Sequence, residues 1–346
     1  MSITKVAKLA GVSSSTVSRV INHHPRVAPE TEESVRSAMQ RLGYTPSDRR
    51  PGPKPKARSE ALLKSAAFLV FGASGGQATP AFADLLRGVS GAASSHDIDL
   101  SVNFVPDLES LPSRALDDSV EGLLLHGAIP DVRLESRLRK LPTVWLMGNR
   151  RRPHWGDQVM PHGYQVGYLA AKYLTDGGHR HLAFLNLDAE HWVFRVYFQG
   201  FVGTASEAGA TAISIERPDE GSTNYWHRYN PRGVELLVER FLAAKPRPTG
   251  LFVADAMQLA LIQPALQARG VELGPGKTEV VVCNKEAPFL AGLMPRSAVI
   301  DIRVESVGRH AIEQLLWRIA HPEMSERLLT CLEPRLIKPT DLEEAQ

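Results

Sequence analysis

The apolar positions of the chain follow two different spacings, and the change between them divides the sequence. In residues 1–48, apolar residues recur every three or four positions, as they do along amphipathic helices. From residue 66 onward, short unbroken apolar runs such as "AAFLVF" and "EGLLLHG" alternate with helix-length amphipathic stretches. This alternation predicts parallel sheets covered by helices, and the length of this part suits two lobes.

The first 48 residues predict three short helices. Gly11 ends the first helix, Ser13 can cap the second, and Pro29 suits the first position of the third. The predicted apolar faces are Ile3, Val6, Ala7 and Ala10, then Val17, Val20 and Ile21, then Val35, Ala38, Met39 and Leu42. Two short helices joined by a glycine-containing turn and braced by a third helix predict a helix-turn-helix domain.

The charges are distributed unevenly along a chain whose net charge is only +2. Residues 1–58 carry 11 Lys and Arg against 4 Asp and Glu, whereas the remainder carries 29 against 34. A basic region joined to a mildly acidic body indicates that the two parts have different partners, and nucleic acid is the usual partner of the basic part.

The second helix carries the candidate base contacts, since the N-terminal residues of a recognition helix face base edges in the major groove. We predict base contacts from Ser14, Ser15 and Arg19. Arg19 should carry most of the specificity, because a guanidinium binds guanine bidentately whereas a hydroxyl discriminates bases poorly. Contacts with the DNA backbone are predicted for Thr16, Ser18, Asn22 and Tyr44.

The segments "VAKLAGVSSSTVSRVIN" and "RVAPETEESVRSAMQRLGYTP" resemble the DNA-binding domain of the LacI/GalR (lactose-repressor) family. The resemblance includes the A-G-V-S turn, T-V-S-R-V and the closing L-G-Y-x-P. Ala28 stands where the family usually has a Ser-type N-cap, and Lys5 replaces a usual acidic residue and adds a candidate phosphate contact. The resemblance implies a transcription regulator, a repressor, that binds near-palindromic double-stranded operator DNA as a homodimer.

The body resembles the same family, most closely in "GYLAAKYLTDGGHRHLAFL". The implied fold is an N-terminal all-α helix-turn-helix domain followed by an α/β two-lobe effector domain like the type I periplasmic binding proteins. We place the DNA-binding domain at 1–48, a basic Pro-rich linker or hinge at 49–65, and the ligand-binding and dimerisation domain at 66–340. The resemblance implies a small-molecule effector between the lobes, a sugar or a sugar derivative.

The effector-binding residues that the resemblance implies are Phe82, Trp192, Arg195, Tyr197, Asp255, Asn284, Lys285 and Glu286. Tyr197 stands where sugar-binding members often have Arg, and Lys285–Glu286 stands where they have an Asp pair. These departures argue against an ordinary hexose, which needs bidentate Arg and Asp partners. The aromatic residues of "EHWVFRVY" either stack on a ligand ring or belong to the core of the lobe.

The linker contains the segment "RRPGPKPKAR", in which five of ten residues are basic and three are Pro. The prolines exclude a helix across 51–55 and favour an extended path. One interpretation is a solvated basic spacer. The other is an arm or hinge that inserts into the minor groove, with Arg49, Arg50, Lys54, Lys56, Arg58 and Leu62 as its contact residues.

A competing hypothesis joins the helix-turn-helix domain to a dinucleotide-binding enzyme. It rests on Gly72-x-x-Gly75-x-x-Ala78 after an apolar run, but the third glycine is missing and Pro106 interrupts the next strand. Neither a nucleophile motif nor a metal-binding motif is present, so we expect no enzyme, no cofactor and no metal. With only two cysteines, no apolar run long enough for a bilayer and no signal peptide, a cytoplasmic location is expected.

Overall fold

A computed structural model describes residues 3–21, 27–42, 63–72, 79–106, 108–109, 111, 119–148, 153–217 and 230–343. The chain divides into two compact units, Met1–Ser59 and Glu60–Gln346.

The first unit contains the three predicted helices, α1 (Ile3–Ala10), α2 (Ser14–Ile21) and α3 (Pro29–Arg41). Gly11 lies between α1 and α2 with a φ of +69°, a backbone conformation that glycine adopts without strain. The Ser13 hydroxyl accepts a hydrogen bond from the backbone N–H of Thr16 at 3.2 Å, which confirms Ser13 as the cap of α2. The buried core of the unit consists of Val6, Ala7, Val17, Val20, Val35 and Ala38.

The second unit alternates strands and helices along nearly its whole length. Its elements, in chain order, are β1 (Ser65–Phe71), α4 (Pro80–Ser95), β2 (Asp99–Val105), β3 (Gly122–Gly127), α5 (Val132–Leu138), β4 (Thr143–Leu146), β5 (Asp157–Pro161), α6 (Gly163–Asp176), β6 (His181–Asn186), α7 (Trp192–Glu207), β7 (Thr211–Glu216), α8 (Pro231–Ala243), β8 (Gly250–Val253), α9 (Ala256–Ala268), β9 (Glu279–Cys283), α10 (Ala287–Leu290), β10 (Ala298–Asp301), α11 (Val304–Ala320), β11 (Leu329–Leu332), β12 (Arg335–Ile337) and α12 (Pro339–Glu343).

These strands form two six-stranded sheets, each the centre of one lobe. The strand order is β11-β5-β4-β3-β1-β2 in the first lobe and β12-β10-β9-β8-β6-β7 in the second. All neighbouring strands run parallel except β12, which pairs antiparallel with β10. The predicted pair of parallel sheets is therefore confirmed.

The unbroken apolar runs arise because both faces of each sheet are covered. In β1, Phe68 packs into the core on one face, whereas its neighbour Leu69 packs into a separate core on the other. In β6, Phe184 and Leu185 divide in the same way between two cores. Successive side chains of a strand point to opposite faces, so a strand buried on both faces shows no polar alternation.

Close helix crossings depend on glycine. In the second lobe, a Cβ on Gly167 of α6 would overlap the carbonyl oxygen of Tyr197 in α7, and a Cβ on Gly200 would overlap that of Tyr164. The two helices therefore pack backbone against backbone, which fixes the position of α7 beside the start of α6.

The chain passes between the lobes three times. The crossings are the short segments from β5 to α6, from β10 to α11 and from β11 to β12. Arg303, in the second crossing, has a φ of 53°, and the Asp301 carboxylate accepts a hydrogen bond from its backbone N–H at 2.8 Å. After this crossing, α11 packs on the first sheet, although the strand before it belongs to the second.

A buried ion pair joins α11 to the first sheet. Asp157 of β5 is 2% exposed, and both of its oxygens accept hydrogen bonds from the guanidinium of Arg318, at 2.6 and 2.9 Å. Gln314 of α11 and the backbone N–H of Leu328 donate to the same carboxylate, at 2.8 and 3.0 Å. One carboxylate thus holds together three segments that are far apart in the sequence.

Candidate functional site

The first candidate site is the exposed side of α2. Val17 and Val20 are buried in the three-helix core, whereas Ser14 and Arg19 are exposed. The Thr16 hydroxyl, which is partly buried, lies 2.9 Å from the Ser13 hydroxyl and so helps to close the first turn of α2. Lys5 is exposed on α1. The core therefore fixes which side of α2 is available to a partner.

Other predicted DNA contacts lie where side chains are not described. Ser15 and Ser18 lie on α2, but only their place in the helix is described. The remaining predicted contacts fall outside the described residues: Asn22, Tyr44, Arg49, Arg50, Lys54, Lys56, Arg58 and Leu62.

The second candidate site is a cavity of about 190 Å³ between the two lobes. It lies at the carboxyl ends of strands, where parallel sheets commonly bind ligands. The first lobe contributes Thr79, Ala81, Met147, Gly148, Met160 and Pro161. The second lobe and the crossing to α11 contribute Gly163, His191, Trp192, Val193, Phe194, Val196, Tyr197, Ala254, Asp255, Cys283, Asn284, Glu286 and Ile302.

The cavity brings together five of the eight predicted effector residues, namely Trp192, Tyr197, Asp255, Asn284 and Glu286. Phe82, Arg195 and Lys285 lie outside its lining. Phe82 is buried and stacks on Phe68 with ring centroids 6.2 Å apart. The exposed Arg195 donates to the carbonyl of Ala189 and to Glu190, both at 3.1 Å, and Lys285 is exposed.

Asp255 follows β8 and caps α9. Its Oδ1 accepts the backbone N–H of Gln258 at 2.8 Å, and its Oδ2 accepts the side-chain amide of the same residue at 2.9 Å. Burial raises the pKa of this carboxyl to about 6 in spite of those hydrogen bonds, and the charge of Asp188 acts in the same direction. A partly neutralised acid at the end of a strand is typical of a binding or catalytic site.

Glu286 reaches across the cavity from the second lobe to the first. Its side chain is almost fully buried, and its Oε1 accepts the backbone N–H of Ala81, in the first turn of α4, at 3.2 Å. Burial and, next, the charge of Asp255 raise the pKa of Glu286 to about 7. Two carboxylates that repel each other therefore lie in one small cavity.

Tyr197 and Cys283 form a hydrogen-bonded pair in the wall of the cavity. Burial raises the pKa of both groups, so the phenol and the thiol are neutral at physiological pH. Tyr197 lies where it does because α7 crosses α6 at Gly167. The pair therefore forms a neutral part of the cavity wall. Cys283 is not a nucleophile there, because the reactive form of a cysteine is the thiolate.

The first turn of α7 supplies aromatic surface. His191 and Phe194 stack with ring centroids 4.5 Å apart. The indole N–H of Trp192 is buried and has no hydrogen-bond partner among the described residues. This turn can therefore offer a ligand an aromatic face.

Several lining residues were not predicted from the sequence, among them Met147, Met160, Cys283 and Ile302. All four lie at or just after the end of a strand, where the parallel topology places a binding site. That position was the available signal, but their apolar side chains are indistinguishable from core residues in the sequence.

The described parts of the chain offer neither a metal centre nor a membrane span. No group of three His, Cys, Asp or Glu side chains there could hold a metal ion. None of the helices there is both long enough and apolar enough to span a membrane.

Comparison with known proteins assigns both units. The family "Bacterial regulatory proteins, lacI family" matches residues 2–47, and "Periplasmic binding protein-like domain" matches residues 171–338. The chain is 28% identical over 348 residues to the HTH-type transcriptional repressor PurR of Mannheimia succiniciproducens, covering 97% of this chain and 96% of that protein. The PurR of Photobacterium profundum is 29% identical, with the same coverage. These matches support the lacI family of bacterial regulatory proteins for this chain.

Solved structures show the same fold. A CelR–cellobiose complex has a TM-score of 0.64 at 23% identity, covering 97% of this chain and 98% of that one. A lac repressor dimer bound to operator and the anti-inducer ONPF has a TM-score of 0.59 at 18% identity, covering 98% of both chains. A helix-turn-helix domain followed by a two-lobe periplasmic-binding-like domain is thereby confirmed.

The matches also confirm the prediction of a DNA-binding transcription regulator. The dinucleotide-binding alternative is not favoured, because the similar proteins are named as transcriptional repressors. Gly72 has a φ of +70° at the end of β1, and residues 73–78 of its motif lie outside the described residues.

Proposed function

We propose that this protein is a cytoplasmic repressor that binds near-palindromic operator DNA as a homodimer and responds to a small molecule in the cavity. The observation that carries the proposal is the orientation of α2. Its apolar residues Val17 and Val20 are buried, whereas Ser14 and Arg19 are exposed. An exposed, partly basic helix braced by two others is suited to the major groove.

The site assignments belong to the same proposal. Ser14, Ser15 and Arg19 contact bases; Lys5, Thr16, Ser18, Asn22 and Tyr44 contact the DNA backbone. The segment 49–65 joins the DNA-binding domain at 1–48 to the effector domain at 66–340. Support comes from the relatives named as repressors and from the similar fold of a lac repressor dimer on its operator.

The cavity is the proposed effector site. It is lined from both lobes, so a ligand that fills it contacts both and favours one arrangement of the lobes over another. A sugar or sugar derivative is the proposed class, in line with the cellobiose found in a structure of similar fold.

In-vitro selection of DNA bound by the full chain tests the proposal. We expect one enriched sequence with two-fold symmetry, bound at least ~10³-fold more tightly than scrambled DNA. Sedimentation of the complex should give two chains per duplex. Equal affinity for all DNA sequences would contradict the assignment as a repressor. One chain per duplex would contradict the dimer.

A further inference from the structure

The cavity is negatively charged among its described residues. Asp255 and Glu286 line it, whereas no described lining residue is Lys or Arg. The two basic residues expected there lie elsewhere: Arg195 is hydrogen-bonded to Ala189 and Glu190, and Lys285 is exposed. Among the described residues, an effector in the cavity therefore faces the negative charge of two carboxylates.

The two carboxylates differ in how they are held. Both oxygens of Asp255 are bonded to Gln258, so this group is already oriented by α9. Glu286 is held from the opposite lobe by the N–H of Ala81. Because burial and mutual repulsion make both charges costly, a positive charge between them would stabilise the folded protein.

The rest of the wall suits a ring of modest size. The volume of about 190 Å³ equals the share of about six water molecules, at ~30 Å³ each, and is below the range of drug-sized sites. Aromatic groups of α7 line one side, and an aromatic face attracts a nearby cation.

From this arrangement we infer that the effector is a single-ring compound that carries a positively charged amine, held by the carboxylates of Asp255 and Glu286. The inference deepens the proposed function, on which it rests, by naming the charge of the ligand. An ammonium group supplies both the missing charge and several hydrogen-bond donors. A neutral polyol supplies donors alone, and an anion meets repulsion from both carboxylates.

Two sets of matched compounds test the inference on the full-length protein at pH 7. One set is glucosamine, glucose and glucuronate; the other is cyclohexylamine, cyclohexanol and cyclohexanecarboxylate. Calorimetry and thermal shift should show that the amine of at least one set binds about tenfold more tightly than its neutral counterpart, since charge-assisted hydrogen bonds are the stronger ones. The anion should not bind.

Glu286→Gln is the decisive variant, because it keeps the shape and the acceptor for Ala81 but removes the charge. The preference for the amine should shrink to within about threefold in this variant. Glu207→Gln is the matched control, since Glu207 is exposed at the far end of α7 and does not line the cavity. It should retain the full preference.

The inference is overturned if, in both sets, a neutral or anionic member binds as tightly as the amine. It is also overturned if Glu286→Gln keeps the preference for the amine. The proposed function has a separate readout, which is the binding of selected operator DNA by the same preparations. Specific DNA binding without a preference for amines would overturn this inference and leave the repressor assignment in place.

Discussion

Gly88 of α4 lies directly against the backbone of Glu305 in α11, so closely that a Cβ on Gly88 would overlap the Glu305 carbonyl oxygen. The reciprocal contact places Gly308 of α11 against the carbonyl of Leu85. In the first lobe, α4 and α11 thus cross through the same contact of glycine with a backbone carbonyl that joins α6 and α7 in the second lobe.

Gly88→Ala should therefore lower the free energy of unfolding by about 3 kcal/mol, because neither backbone can move aside without disturbing the lobe. Denaturation by urea measures the change. Gly91→Ala, on the same helix, is the control: no atom lies within 4 Å of its added Cβ, and it should stabilise the protein by about 0.5–1 kcal/mol. Equal effects of the two substitutions would contradict the crossing.

Asp157→Asn should destabilise the protein by about 3–5 kcal/mol, because it leaves the buried guanidinium of Arg318 without its counter-charge. Urea denaturation again provides the measurement. Asp176→Asn serves as the comparison, since the Asp176–Lys172 ion pair on α6 is exposed and should contribute no resolved stability. A small loss for Asp157→Asn would mean that solvent reaches Arg318.

The cavity carboxylates should make the protein less stable as the pH rises. The pKa of Glu286 is raised from 4.5 to about 7, and that of Asp255 from 3.8 to about 6, so the folded state binds these protons more tightly. Their contribution to stability is fully present below the unfolded pKa values and is lost as the pH rises through about 6 to 7.

Glu286→Gln isolates this effect from the other titrating groups. The stability of the wild type minus that of the variant should fall by roughly 3 kcal/mol between pH 4.5 and pH 8. Denaturation at a series of pH values provides the test, and Glu207→Gln should give a difference that does not vary with pH. A constant difference for Glu286→Gln would show that water or a neighbouring cation screens the cavity.

Arg19→Ala should weaken operator binding by about 1–3 kcal/mol. It should also relax the preference for one base at a single position of the operator. Affinities for all single-base variants of the selected operator measure both effects. Arg36→Ala is the control, because Arg36 is exposed on α3 and paired with Glu32 at 2.7 Å. A uniform loss over all sequences would instead identify Arg19 as a phosphate contact.

Neutralising Arg49, Arg50, Lys54, Lys56 and Arg58 together decides between the two interpretations of the basic linker. If the segment lies along DNA, the slope of log affinity against log salt should flatten by about 0.9 for each phosphate that the segment no longer neutralises. Titrations at several salt concentrations measure the slope. An unchanged slope would identify the segment as a spacer.

The sequence predicted strands where burial on both faces gives an unbroken apolar run, as in β1 and β9. It did not predict β5, because Asp157 and Gln158 are polar although both are buried. Their partners, Arg318 and Arg327, lie more than 150 residues further along the chain. No local pattern can report such a pairing, and the short strands β11 and β12 were missed for the same lack of local signal.

Whether a residue lines the cavity could be predicted from the side of the helix or extended segment on which its side chain lies. In α7, Val193 and Tyr197 are four residues apart and share the side facing the cavity, whereas Arg195 lies between them on another side. After β9, Asn284 and Glu286 line the cavity and Lys285 alternates away. The family resemblance implied the two basic side chains as effector contacts, but helical and extended periodicity place both of them outside the cavity lining.

The crossings between the lobes have a consequence for how a signal could travel. Met160 and Pro161 end the strand before the first crossing, and Ile302 lies in the second, yet all three are part of the cavity wall. Any rotation of one lobe against the other must therefore reshape the wall itself. A molecule that fits only one shape of the wall selects one arrangement of the two lobes. Its binding energy therefore acts directly on the crossings between the lobes, without a chain of intermediate residues.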